Sequence, residues 1–267
     1  MVRMFTPVIA FDLDGTLIRP DKTIHPLDVE VLAGGFEPMF IPVTARTLHS
    51  VKRCFQRYGI LSGNTISFPV VTQYGSVLYG NNERLVRSRC FTIDTAHRLV
   101  DTMKAFASVT SWLYTPDKVL TLHSDRFSEQ AGEEFDFALT PFCDDSGVAF
   151  TKASAVSPNL SEIERFSEAI RTLECDASYY RPSILEICPQ GVDKGNGLQH
   201  LIQELGISRP LVFAAGDTAY DLPMFRVADR SYAPRTASPE VRDAASRVID
   251  VEKNGLLQPV LTDLRQL

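Results

Sequence analysis

The first periodic feature of the chain is a short apolar run, Val8-Ile9-Ala10-Phe11, that stops abruptly on Asp12-Leu13-Asp14-Gly15. Runs of the same kind recur at Met39–Val43, Leu211–Ala215 and Ser231–Ala233, each continuous enough to be a strand buried on both faces. Between and after them, apolar residues recur at helical spacing near Thr47–Arg57, Gly195–Leu205, Leu222–Val227 and Pro239–Ala245. Strand and helix in alternation predict an α/β fold built on a doubly wound, Rossmann-like parallel sheet. Val70–Thr72 and Val77–Tyr79, on either side of Tyr74-Gly75-Ser76, read as a hairpin leading away from that sheet.

The middle of the chain changes character. Its pattern predicts an amphipathic helix near Thr95–Phe106, a strand at Val119–His123, a polar helix near Ser128–Phe137 and a further helix at Ser161–Leu173. Strands at Ser178–Arg181 and Ile184–Cys188 follow. Such α+β content between two parts of an α/β core is the pattern of an inserted domain. The expected division is a core of residues 1–80 and 190–267 with an α+β insert over 81–189.

At 267 residues the chain is long enough for two domains with a sizeable core. Its formal net charge of −6, without a dense Lys/Arg run, argues against nucleic acid as a partner. No apolar stretch approaches the roughly 20 residues needed to span a bilayer, so no membrane association and a cytoplasmic location are expected. The five cysteines (Cys54, Cys90, Cys143, Cys175 and Cys188) are scattered and odd in number, which argues against both a disulfide framework and a zinc site.

Four segments carry candidate chemistry. Asp12 and Asp14 sit at the end of a buried strand, where paired carboxylates are costly unless a cation joins them, and Mg²⁺ is the expected one. Gly15 allows a sharp turn, and Thr16 offers a hydroxyl and an amide to an anion. Alone, this run fits an ordinary acidic turn equally well. Thr44 ends the second strand in Phe40-Ile41-Pro42-Val43-Thr44-Ala45-Arg46, a setting that suits a phosphate oxygen but also a plain helix N-cap. Lys194, in Gly191-Val192-Asp193-Lys194-Gly195, opens a helix whose dipole disfavours a cation there, so either a bound anion or solvent offsets it. Asp217 and Asp221, in Ala215-Gly216-Asp217-Thr218-Ala219-Tyr220-Asp221, stand at i, i+4 after a buried strand. There Asp217 can share a metal with Asp12, and Asp221 can orient the metal's water or hold Lys194.

The order D-x-D, Thr, Lys, then GD-x-x-x-D resembles the haloacid dehalogenase superfamily of phosphatases over essentially the whole chain. The long gap between Tyr79 and Gln190 is similar to the C2B cap of subclass IIB, the Cof-like and sugar-phosphate phosphatase branch. The resemblance implies Asp12 as nucleophile and Asp14 as general acid/base. It further implies Thr44, Lys194 and, less directly, Arg46 as phosphoryl-binding groups, and Asp12, the Asp14 carbonyl and Asp217 as Mg²⁺ ligands, with Asp221 behind them. Two tyrosines depart from the branch pattern: Tyr220 stands where asparagine is usual in GD-x-x-N-D, and Tyr74 begins Tyr74-Gly75-Ser76 where N-G-A is usual.

The function so implied is Mg²⁺-dependent hydrolysis of a small phosphorylated metabolite, a sugar or polyol phosphate, through an aspartyl-phosphate. A phosphosugar mutase of the same fold and a non-catalytic phosphosugar-binding protein are the alternatives. A phospho-aspartate receiver domain needs only about half this length and no acid two residues after the nucleophile. Tyr179, Arg181 and His123, with Trp112, Tyr114 and Tyr180, are cap candidates for the body of the substrate, though aromatics in strand-like stretches fit a core equally well.

Overall fold

The computed structural model describes residues 5–34, 38–122, 130, 133, 136–143 and 149–266. Packing divides the chain into two compact units, one of Met1–Ala45, Val51–Arg87 and Asp193–Leu267, the other of Arg46–Ser50 and Ser88–Val192. In chain order the elements are β1 (Thr6–Phe11), α1 (Pro26–Ala33), β2 (Met39–Pro42), α2 (Leu48–Arg57), β3 (Val70–Thr72), β4 (Val77–Tyr79) and β5 (Leu85–Ser88). Then come α3 (Ile93–Ala105), β6 (Thr110–Tyr114), β7 (Val119–Thr121), β8 (Leu139–Pro141), β9 (Lys152–Val156), α4 (Leu160–Ile170), β10 (Cys175–Arg181) and β11 (Ile184–Pro189). The chain closes with α5 (Lys194–Glu204), β12 (Pro210–Ala215), α6 (Leu222–Val227), β13 (Arg230–Pro234), α7 (Pro239–Ala244), β14 (Arg247–Ile249), α8 (Val251–Asn254) and α9 (Leu257–Leu264).

The first unit is built on a five-stranded sheet of order β14-β13-β12-β1-β2, every pairing parallel. Val8, Ile9, Ala10 and Phe11 of the central strand are essentially inaccessible, which is why its sequence is apolar at every position rather than at alternate ones. Val8, Ala10, Ile41, Val212 and Ala214 pack with Leu198, Leu201 and Met224 of α5 and α6. Each large aliphatic buried this way contributes roughly 1.5–3 kcal/mol. Parallel register has a direct consequence for the chemistry: Phe11 lies opposite both Pro42 and Ala215, so the residues that follow β1, β2 and β12 leave the sheet at one edge. The expected hairpin is two strands of a separate three-stranded sheet, β3-β4-β5, and a parallel bridge between Val43 and Val71 ties it to the chain after β2.

In the second unit, six strands run in the order β10-β11-β9-β6-β7-β8, antiparallel except for β7 with β8. Leu113, Ala153, Ala155, Leu185 and Ile187 face α3 and α4 in one apolar core. Alternation sends Trp112, Tyr114, Lys152, Ser154 and Glu186 to the other face. Lys152 is buried there only because it is paired, with Glu186 at 2.8 Å and with its ammonium 4.2 Å from the centre of the Tyr114 ring. The strand expected at Val119–His123 ends at Thr121, and the polar helix expected near Ser128–Phe137 falls largely outside the described residues.

Candidate active site

Asp12 follows β1, and its amide donates to the Ala215 carbonyl at 2.9 Å, which carries the parallel ladder one residue beyond the strand. Three residues on, Gly15 adopts φ +84°, a conformation L side chains rarely take; a Cβ there would lie 2.3 Å from Asp217 Oδ2. The chain therefore turns tightly enough for Thr16, 1% exposed, to donate from Oγ1 to Asp217 Oδ1 at 2.8 Å. Asp14 sits on the same turn, half-buried.

Lys194 is the first residue of α5, which Asp193 caps through the Asn196 amide. Its ammonium is 2.6 Å from Asp12 Oδ1 and 2.6 Å from Asp221 Oδ1, and all three groups are buried. These are charge-assisted hydrogen bonds, the stronger kind. Burial by itself would push the Lys194 ammonium down, but Asp12 and Asp221 outweigh it and hold it above the ordinary lysine value. The predicted conflict between Lys194 and its helix dipole is thus met by two carboxylates of the protein.

Both oxygens of Asp221 are engaged. Oδ1 accepts from Lys194, whereas Oδ2 accepts from the amides of Asp217 and Thr218 and from the Thr218 hydroxyl. It locks the loop that carries Asp217. Burial, and after it the Asp221 charge, raise the Asp217 carboxyl to about 6. The Asp12 carboxyl is also pushed well above its ordinary value, first by burial and then by Asp221, Asp217 and Asp14, against the pull of Lys194.

A divalent cation fits this charge pattern. Asp12, Asp217 and Asp221 can each present an oxygen within 4.8 Å of the others. Two carboxylates at that separation repel by roughly 3–4 kcal/mol in surroundings of effective dielectric about 20. One lysine leaves the cluster short of positive charge. Asp221 accepts four hydrogen bonds against one each shown for Asp12 and Asp217, which favours Asp12 and Asp217 as the ligands for a metal.

Thr44, 1% exposed, follows β2 at the same sheet edge. Its amide donates to the Val71 carbonyl at 2.9 Å and its carbonyl accepts from the Tyr74 amide at 3.0 Å, so its backbone is fixed by the turn before β4. Arg46 packs with the second unit, donating to Ser50 Oγ at 3.0 Å with Asp136 at 3.9 Å. Tyr179 and Arg181 lie on the edge strand β10 beside a hollow of about 450 Å³. Tyr179 is 44% exposed, and the Arg181 guanidinium lies over Tyr180 at 5.3 Å. His123 falls outside the described residues.

Two contributors escaped the sequence reading. Glycines at 195 and 197 let α5 approach its neighbours closely, since a Cβ at Gly195 would lie 2.3 Å from the Pro223 carbonyl oxygen. Their signal was the density of glycine around Lys194. The second is the contact between the two unusual tyrosines, Tyr74 and Tyr220, whose ring centres are 4.9 Å apart. Nothing in a single sequence pairs them.

A family model described as haloacid dehalogenase-like hydrolase matches residues 9–258. Pyridoxal phosphate phosphatase YbhA of Escherichia coli is 26% identical over 264 residues, covering 92% of this chain and 94% of that protein. The 5-amino-6-(5-phospho-D-ribitylamino)uracil phosphatase YwtE of Bacillus subtilis is 23% identical, covering 90% and 91%. Among solved structures, the subclass IIB sugar phosphatase BT4131 superposes with a TM-score of 0.75 at 16% identity, covering 96% and 98% of the two chains.

Proposed function

The chain belongs to the haloacid dehalogenase-like hydrolase family and is a phosphatase, and we propose that it hydrolyses a small sugar or polyol phosphate through a phosphoryl group carried on Asp12. One observation carries the proposal: a buried lysine bonded at 2.6 Å to the carboxylates of both Asp12 and Asp221, beside Asp217. Such an arrangement holds an anionic nucleophile next to fixed positive charge, as transfer from an anionic donor requires.

When bound, Mg²⁺ would be held by Asp12, Asp217 and the Asp14 carbonyl, and would neutralise charge on the phosphoryl group. The chain supplies the rest. The Asp12 carboxylate attacks phosphorus, and Lys194, held by Asp221, offsets the negative charge brought to it. The Thr44 hydroxyl is at the strand end where a phosphoryl oxygen would lie. Asp14 gives a proton to the leaving alcohol, then takes one from the water that releases phosphate from Asp12. The second unit acts as the cap that excludes bulk water and selects the substrate, with Tyr179, Arg181 and His123 as its candidate contacts, and Arg46 is a further candidate for the phosphoryl group.

Relatives that act on pyridoxal phosphate, a phospho-ribityl compound and a sugar phosphate support a small phosphorylated metabolite as substrate. The location that suits such a substrate is the cytoplasm, and no helix of the described residues is long and apolar enough to cross a membrane. Phosphate release from a panel of phosphomonoesters, with Mg²⁺ and with EDTA, tests the reading. Free phosphate from sugar or polyol phosphates, lost in EDTA, is expected. Isomerised phosphosugar without free phosphate would make the protein a mutase, and binding without turnover would make it a receptor.

A further inference from the structure

Gln73, Tyr74 and Gly75 have φ of 51°, 58° and 108°, three successive residues in the left-handed region, two of them not glycine. A bulky aromatic persists there only when its surroundings over-determine the conformation. Those surroundings are the functional site. The Tyr74 amide holds the Thr44 carbonyl. A Cβ on Gly75 would fall 2.3 Å from the carbonyl oxygen of Asp193, the residue that caps α5 just before Lys194. The Tyr74 ring, 5% exposed, packs on Tyr220 with an interplanar angle of 36°, and the Tyr220 hydroxyl is shielded from solvent. Tyr220 directly precedes Asp221, which holds Lys194.

We propose that Tyr74 and Tyr220 form a single positioning unit: their ring contact sets the placement of the Thr44 backbone against the loop that carries Asp217 and Asp221. One end of the contact attaches to Thr44 through one hydrogen bond, the other to Asp221 through one peptide bond. Neither ring needs to touch substrate. The pair acts through Thr44 and Lys194, so it rests on the phosphatase reading of this site. A tyrosine in a left-handed turn gives up backbone stability that asparagine or glycine would retain, and the ring contact is what that conformation secures.

Kinetics on p-nitrophenyl phosphate with Mg²⁺, together with thermal unfolding, test the proposal. Tyr74→Asn suits the left-handed backbone and removes the ring. It should lower kcat at least tenfold with KM changed less than about threefold, measured at a temperature where the melts show both proteins fully folded, because the lost interaction serves the transition state. Tyr220→Leu should lower kcat similarly. The double variant should fall no more than about twofold below the worse single one, since one contact cannot be lost twice. Tyr74→Phe and Tyr220→Phe keep both rings and should restore kcat to within about threefold of wild type.

Full kcat in Tyr74→Asn, multiplicative losses in the double variant, or Phe variants as impaired as Asn and Leu would each overturn the pair's role. Should Tyr220→Leu fail to fold, Tyr74→Asn and the two Phe variants decide alone. Failure of the underlying reading looks different: Asp12→Asn would then turn over like wild type. An inactive Asp12→Asn alongside a fully active Tyr74→Asn removes only the positioning role.

Discussion

Replacing Lys194 by methionine keeps most of the buried stem and deletes one charge. In the folded protein that charge lies 2.6 Å from two carboxylates, with Asp217 beside them. Removing one partner of a buried ion pair costs about 3–5 kcal/mol, because the charge left behind is neither solvated nor paired. For a chain of this size each kcal/mol moves Tm by about 2–4 °C, so Lys194→Met should lower Tm by on the order of 10 °C in EDTA at pH 7.5. Its kcat should fall by about 10²–10³ or more, the usual loss for one preorganised charge at a transition state.

The sign of the pH dependence separates charge from packing. Asp217 titrates at about 6 in the folded protein, above its ordinary 3.8, and Asp12 is raised as well. The folded state therefore binds these protons more tightly than the unfolded chain, and the destabilisation from crowded carboxylates develops as pH rises from about 4 through about 6. Without Lys194 the crowding is worse. The Tm deficit of Lys194→Met should accordingly be large at pH 7.5, shrink by at least half at pH 5, and be partly recovered by Mg²⁺ at pH 7.5. Circular-dichroism melts at the two pH values provide the assay. A deficit equal at both, and indifferent to Mg²⁺, would refute the electrostatic argument and leave Lys194 as a packing residue.

Asp14→Asn should lose at least a hundredfold in kcat/KM, which reports transfer to Asp12, on alkyl phosphates and distinctly less on aryl phosphates, whose leaving groups need little protonation; equal losses in kcat/KM would remove Asp14 as the acid. Gly15→Ala forces a Cβ toward Asp217 Oδ2 at a φ of +84°, so it should weaken Mg²⁺ activation at least tenfold, read as the Mg²⁺ concentration for half-maximal rate. Asp221→Asn keeps an acceptor for the Asp217 and Thr218 amides but halves the charge holding Lys194, and at pH 5 should cost more free energy at the transition state, from the kcat ratio, than in folding stability, from denaturant unfolding. A larger stability loss than activity loss there would count against its part in holding Lys194.

The core was legible because its strands are buried on both faces and stop on chemistry. Val8–Phe11 and Leu211–Ala215 are continuous apolar runs that end on carboxylates, and parallel register alone then brings Asp12 and Asp217 to one edge. The strands of the second unit are less explicit. Lys152–Val156 reads Lys-Ala-Ser-Ala-Val, and its burial depends on Glu186, a partner 34 positions away that no local pattern reveals. Thr110–Tyr114 is fully buried yet opens with Thr and Ser. Helix α1 has an apolar set too evenly spread to give one face, and begins with proline after a histidine cap. Within the site, residue types and order were readable. The detail that Asp221 ties Lys194 to the loop carrying Asp217 depends on backbone amides that only the folded loop brings together.

The account's central claim is that the phosphoryl group passes through Asp12. Asp14→Asn offers the most direct measurement, since a variant that accepts phosphoryl from an aryl phosphate but cannot activate water should accumulate it. After rapid acid quench and proteolysis, mass spectrometry should find an alkali-labile phosphoryl adduct on the peptide containing Asp12, dependent on Mg²⁺ and absent when Asp12→Asn is added. An adduct on any other residue, or steady turnover by the Asp12→Asn enzyme without one, would contradict it.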